Sequence, residues 1–183
     1  EQVQQTLKNN QCKERLSDNL LRFLGNPLHL YLFLKIRPYE QLTNPLSTDL
    51  LYHQLWRKYV NDDSIRKVEK ERLLSLLDSL VGTMYHRQEL SVHIRKYETD
   101  YDSELKYLFT NGFLIVTKNG LVQFFHQTLF DYVYARRFTE KGNDLLEELK
   151  KQHQGLFSRP AVKSILIFQR ELQPSVYIHI IEQ

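Results

Sequence analysis

Apolar residues recur every three or four positions along most of this chain, the period of helices with one buried face. Leu16, Leu20, Leu21 and Leu24 share a stripe, which predicts a helix from about Cys12 to Leu24. "GNP" (Gly25, Asn26, Pro27) breaks it, since Gly tolerates unusual dihedrals and Pro suits the first turn of a new helix. The next segment, Leu28 to about Ile36, is apolar nearly all round and is expected to be deeply buried. "RPYEQLTNPLS" reads as a loop with two prolines. Ser47 or Thr48 can cap the helix "TDLLYHQLWRKYV", whose basic end suits a helix C-terminus. "NDDS" (Asn61–Ser64) caps another, in which Ile65, Val68, Leu73, Leu76, Leu77, Leu80, Val81 and Met84 keep the helical period.

From Ile65 a more specific order emerges. A long helix ends near Tyr85, and a shorter one covers about Glu89–Tyr97. "DYDSELKYLFTNG" (Asp100–Gly112) has acidic capping residues, an apolar stripe and an Asn-Gly stop. "FLIVT" and "LVQFF" flank "KNG" (Lys118–Gly120), a strong hairpin signal, and a further helix follows. Three helices plus a hairpin is the order of a winged helix, with one helix appended. After "EKGND", helices are expected near Leu145–Gln152, Arg159–Glu171 and from Ser175 onward. The expected fold class is mainly α: a helical domain over 1–62, a winged helix over 63–140 and C-terminal helices over 141–183.

Composition changes this picture little. The 183 residues are 42% hydrophobic, enough for a real core in one large domain or two small ones. With 25 basic and 22 acidic side chains the net charge is +3, not the footprint of a dedicated nucleic-acid binder. The single cysteine, Cys12, excludes an internal disulfide and a cysteine-based zinc site, and fits a reducing, cytosolic compartment. The longest apolar run, "LHLYLFL", is too short to span a bilayer, and the N-terminus lacks the pattern of a signal peptide. The chain starts at Glu1 without an initiator methionine and stops inside an apolar periodic segment, so it is read as a piece of a longer protein.

The familiar chemical motifs are missing. No G-x-x-x-x-G-K-[ST], G-x-S-x-G or H-E-x-x-H occurs, and the seven histidines lack metal-ligand spacing. "LLSLLD" (Leu73–Asp78) imitates an apolar strand ending in a magnesium-binding Asp, but it lies inside a helical period. Glu104 and Asp131 read as helix-start carboxylates. The helix in the DNA-reading position, about Ser103–Asn111, offers one Lys, and the wing tip adds Lys118. That is little charge to neutralise phosphates.

"FFHQTLFDYVYARRF" (Phe124–Phe138) places His126 between a strand and a helix N-terminus. Free N–H groups and the helix dipole make that end positive. A neutral imidazole there still has one N–H to donate, which suits an anion such as phosphate. It can equally cap its own helix or bond a nearby backbone group.

Two segments together resemble one family. "LGNPLHLYLFLKI" resembles the Gly-x-Pro segment of the helical domain after the ATPase core of signal-transducing NTPases with numerous domains, the NACHT and NB-ARC group. "ELKYLFTNGFLIVTKNGLVQFFHQTLFDYVYARRF" resembles the winged-helix domain of NACHT-type members, in Phe124, Phe125, His126, Phe130, Asp131, Tyr132 and Ala135. Asp131 stands where Glu is commoner, and Arg136 where a second small residue is common. The likeness covers about Leu20–Phe138, and the tail from about Arg159 looks like the opening of a helical or repeat region. It implies that His126 contacts the β-phosphate of ADP in a closed, inactive state, that Pro27 packs near the adenine, and that Gly25 and Asn26 belong with them to the cofactor-binding residues.

The resemblance implies a regulatory region that closes over ADP and couples nucleotide exchange to rearrangement and oligomerisation. ADP or ATP with magnesium would be held by the parent protein, whose upstream NTPase core would supply the phosphate loop and the metal carboxylate. The piece alone would not be an enzyme and would hold no nucleotide tightly. Expected partners are that core and further copies of the parent, with no membrane and no nucleic acid, in the cytoplasm. The alternative is a winged-helix nucleic-acid-binding regulator using Lys106, Lys118 and Arg136 or Arg137; a third reading is a plain helical adaptor.

Overall fold

The chain is mainly helical, with one three-stranded antiparallel sheet. The computed structural model describes residues 2–10, 16–36, 47–62, 65, 67–145, 147–148 and 158–182. Cys12, the proline loop over 37–46, the Asp63–Ser64 part of the expected cap and most of the helix expected over Leu145–Gln152 lie outside them. Contacts divide the chain into two compact units, Glu1–Asp62 and Asp63–Gln183.

The first unit holds α1 (Gln2–Asn9), α2 (Asp18–Phe23), α3 (Pro27–Ile36) and α4 (Thr48–Tyr59). The sequence pattern missed α1, which buries only Leu7, in a cluster with Leu20, Leu24 and Phe33. Of the helix expected over Cys12–Leu24, the described part begins at Asp18, after the non-helical Leu16 and Ser17. Ser17 is extended and its hydroxyl accepts the Leu20 N–H, which fixes the start there. Ser47 starts α4 in the same way, accepting from Leu50 N. Full burial of α3 is not observed: Leu32, Phe33 and Ile36 are buried, while Tyr31 is exposed. Its apolar residues circle the helix, but they pack on one side against α4 and on another against the Leu7 cluster.

The second unit begins with α5 (Lys67–Arg87), β1 (Val92–His93) and α6 (Arg95–Thr110). The hairpin β2 (Leu114–Val116) and β3 (Leu121–Phe124) follows, then α7 (Gln127–Glu140), α8 (Ser158–Leu172) and α9 (Pro174–Ile181). The sheet order is β1-β3-β2. Val122 pairs with Val92 on one side and Val116 on the other. Gly120, with φ 69°, takes the left-handed conformation that closes the hairpin loop, its N–H bonding Thr117 O at 3.0 Å.

The helix expected over Glu89–Tyr97 is a correction. Val92 and His93 are strand, because β3 offers a free edge and buries Val92. Helix resumes at Arg95 and continues through the expected break at Asp100. A single kink at Tyr101, φ −135° and ψ 32°, marks where the two patterns join. α7 is the centre of this unit, packed by α5, β3 and α8. Leu129, Phe130, Tyr132, Val133, Tyr134, Ala135 and Phe138 are buried on several of its sides.

Candidate functional site

β3 delivers His126 to the start of α7. Its backbone is extended, at φ −149° and ψ 143°, and its carbonyl accepts the Leu129 N–H at 3.0 Å. The ring itself is the helix cap: Nδ1 accepts the Thr128 N–H at 3.2 Å and stands 2.8 Å from Thr128 Oγ1. An Nδ1 that accepts an N–H carries a lone pair, so the neutral ring keeps its proton on Nε2. His126 is exposed, so that Nε2–H is a donor available at a helix N-terminus. The cap and the outward donor are two ends of one ring, and the first fixes the second.

Gly25, Asn26 and Pro27 form the α2–α3 junction and are all exposed. Gly25 N bonds Arg22 O at 3.1 Å, and a Cβ at Gly25 would lie 3.0 Å from that oxygen, a tight approach that a larger residue could make only with a small shift. Asn26 caps α3: its Oδ1 accepts Leu28 N at 2.9 Å and its carbonyl accepts Leu30 N at 3.1 Å. Pro27 takes the first helical position, where no N–H is needed. Its ring is therefore rigid and open to solvent. These three residues belong to the first unit and His126 to the second.

Residues without a sequence signal also join elements. His29 stacks on Phe23 with ring centroids 4.0 Å apart; Nδ1 lies 3.0 Å from Phe23 O and Nε2 2.8 Å from Thr48 Oγ1. Its periodic position resembles its apolar neighbours, so nothing local announces the bridge to α4. Glu104 is not a helix-start carboxylate. It is 7% exposed in α6, bonded by Arg72 Nε at 2.6 Å and by Ser103 Oγ at 3.1 Å. Arg72 also donates to Asp100 O. Burial alone would raise the Glu104 carboxyl, but Arg72, a backbone donor and Ser103 outweigh it and hold it below its ordinary value. Asp131 likewise lies beyond the first turn of α7, which has no acidic residue.

Asp78 sits inside α5, as the helical period required. Arg137 grips it at 2.7 and 2.9 Å, and Lys141 Nζ lies 3.2 Å away. Burial pushes the Asp78 carboxyl up, and the two cations more than reverse that. These groups, with Gly82, Tyr85 and Tyr134, line a cavity of about 200 Å³. The Tyr134 hydroxyl is pushed far above its ordinary value by burial and by Tyr85.

The cations named for nucleic-acid contact are largely engaged elsewhere. Lys106 pairs with Asp102 at 2.7 Å. Arg136 is 8% exposed, 2.7 Å from Glu140 and 3.1 Å from the Tyr132 hydroxyl. Arg137 serves Asp78 and Glu140. Lys118, at the hairpin tip, is exposed. Among the described residues no group of three His, Cys, Asp or Glu could hold a metal ion, and no helix is long and apolar enough to cross a membrane. No family model, curated protein or solved structure matches the chain.

Proposed function

We propose that this chain is the nucleotide-sensing regulatory region that follows the ATPase core of a NACHT-type signal-transducing NTPase. The first unit is the helical domain. α5, β1, the two halves of α6 about Tyr101, and β2–β3 are a winged helix. Support comes from the element order and from the β1-β3-β2 sheet, in which the first short strand completes the hairpin. The winged helix serves as a packing module whose appended helix, α7, is largely buried in its own unit.

The observation that carries the reading is the capped ring of His126, which leaves Nε2–H outward at a helix N-terminus. A neutral donor at a positive helix end fits a phosphate oxygen of ADP. In the longer protein the core would hold the remaining phosphate contacts and magnesium, and loss of ADP would release His126 and let the closed state open. A ligand that prefers the closed state biases such an equilibrium by its differential affinity. The nucleic-acid reading is less well supported, because Lys106, Arg136 and Arg137 already have acidic partners.

The test is the nucleotide released on denaturing the longer protein, compared between wild type, His126→Ala and His126→Asn. Asn can cap the helix but cannot place an N–H where Nε2 stands, so it separates the two roles of the ring. Retained ADP in wild type and its loss in both variants supports the reading. Equal ADP in all three returns His126 to capping alone, and no nucleotide in any of them removes the assignment.

A further inference from the structure

The cavity between α5 and α7 is charged at one end and aromatic at the other. As α5 advances from Asp78 to Tyr85, its partners on α7 step back from Lys141 to Tyr134. Asp78, Arg137 and Lys141 therefore close one end, and the Tyr85–Tyr134 stack, with centroids 4.1 Å apart, closes the other. Gly82 lies between them, one helical turn from Asp78 on the same face of α5. Glycine is the poorest helix former after proline, so its place inside a 21-residue helix calls for a reason. Crowding is not the reason, since a Cβ at Gly82 would meet nothing within 4 Å, and its φ is not in the left-handed region. The missing side chain leaves room in the cavity instead.

The unused hydrogen-bonding capacity of the charged end decides the sign of a guest. Asp78 already accepts from Arg137 Nε, Arg137 Nη2 and Lys141 Nζ, leaving about one of its four lone-pair sites. Glu148, near Tyr134, is engaged in an interaction of its own. Among the described residues Lys141 gives one of its three N–H groups to Asp78, and its side chain is 49% exposed. Arg137 uses three of its five, on Asp78 and Glu140. The surplus is of charged donors, which suits an anionic acceptor. We propose that this cavity binds a small carboxylic acid with an apolar body. Its carboxylate bonds Lys141 beside Arg137, and its body lies over Gly82 against Val81, Phe138 and the Tyr85 ring. A single charge fits better than a phosphate dianion, because Asp78 stands beside the head. A volume of about 200 Å³ takes about six water-sized groups, enough for a carboxylate and one ring but not for a nucleotide. The proposal does not rest on the nucleotide reading, since His126 lies at the opposite end of α7.

The experiment is amide NMR on the 183-residue chain titrated with benzoate, from about 0.05 to about 20 mM, and with benzamide as its neutral shape match. Expected are saturable shifts at Val81, Gly82, Tyr85 and Phe138 with a Kd of about 1 mM, and contacts from the benzoate ring protons to Val81 and Phe138. Benzamide should bind about tenfold more weakly or worse. Gly82→Leu places a side chain in the space that Gly82 leaves, so the folded variant should lose benzoate. Lys141→Gln removes the charged donor and should weaken benzoate about tenfold. Because Lys141 is half exposed, that variant keeps the test open if Gly82→Leu does not fold. No saturable binding by about 20 mM overturns the proposal. So does benzamide that binds as tightly as benzoate, or benzoate binding that is unchanged in folded Gly82→Leu or Lys141→Gln.

Discussion

Arg137 holds both carboxylate oxygens of Asp78, at 2.7 and 2.9 Å, across 59 residues of sequence. The pair locks α7 to α5 and is mostly shielded from water, with side-chain exposures of 14% and 20%. Asp78→Asn keeps the shape but takes the carboxylate away from Lys141 and leaves Arg137 with Glu140 alone. The expected loss is about 2 kcal/mol of unfolding free energy, the usual scale for hydrogen bonds to charged groups. Urea unfolding of the purified variant measures it.

Acid should unfold the second unit through the same groups. Asp78 and Glu104 both titrate below their ordinary values, despite burial that pushes them the other way. The folded state therefore binds fewer protons than the unfolded chain near pH 4. Their contribution is complete above about pH 5 and is lost as pH falls through the depressed folded values. A stability profile against pH should fall steeply on the acid side. Asp78→Asn with Glu104→Gln should flatten it while lowering stability at neutral pH. An unchanged acid limb would mean other carboxylates dominate.

His126→Ala should cost about 1 kcal/mol, because the Thr128 N–H loses its acceptor at the start of α7. His126→Asn should recover most of that, since its side-chain oxygen can take the same bond. Thermal or urea unfolding of the two variants separates the capping role from any ligand role before nucleotide is measured.

Gln88 ends α5 with φ 55°, in the left-handed region. Its N–H bonds Tyr85 O, and Glu89 N bonds Met84 O, so the turn closes the helix and demands that conformation. Gln88→Gly removes the Cβ clash and is expected to stabilise the chain by about 0.5–1 kcal/mol. The denaturation midpoint should rise with the slope unchanged.

The hairpin was legible because its signal is local: Asn-Gly between two apolar runs needs a left-handed residue, and Gly120 supplies it. α4 and α5 were legible because one repeating period over a dozen or more residues outweighs local noise. β1 was not, because two residues of strand exist only where β3 presents an edge to them. The length of α6 was missed for a related reason. Acidic residues at Asp100 and Asp102 look like caps, yet packing carries the helix through with one kink at Tyr101.

The sequence by itself determined the helical character, the hairpin and the placing of His126 at a strand–helix junction, since each follows from periodicity or turn chemistry within a few residues. The tertiary structure alone decided which nitrogen of His126 faces outward, which arginines are engaged, and that Glu104 is buried beside Arg72. Those are pairings between groups far apart in the chain, or rotations of a single ring. The distant pairings leave no trace in the order of residues, because those partners meet only when helices pack, whereas the turn of the His126 ring is settled at its own helix start.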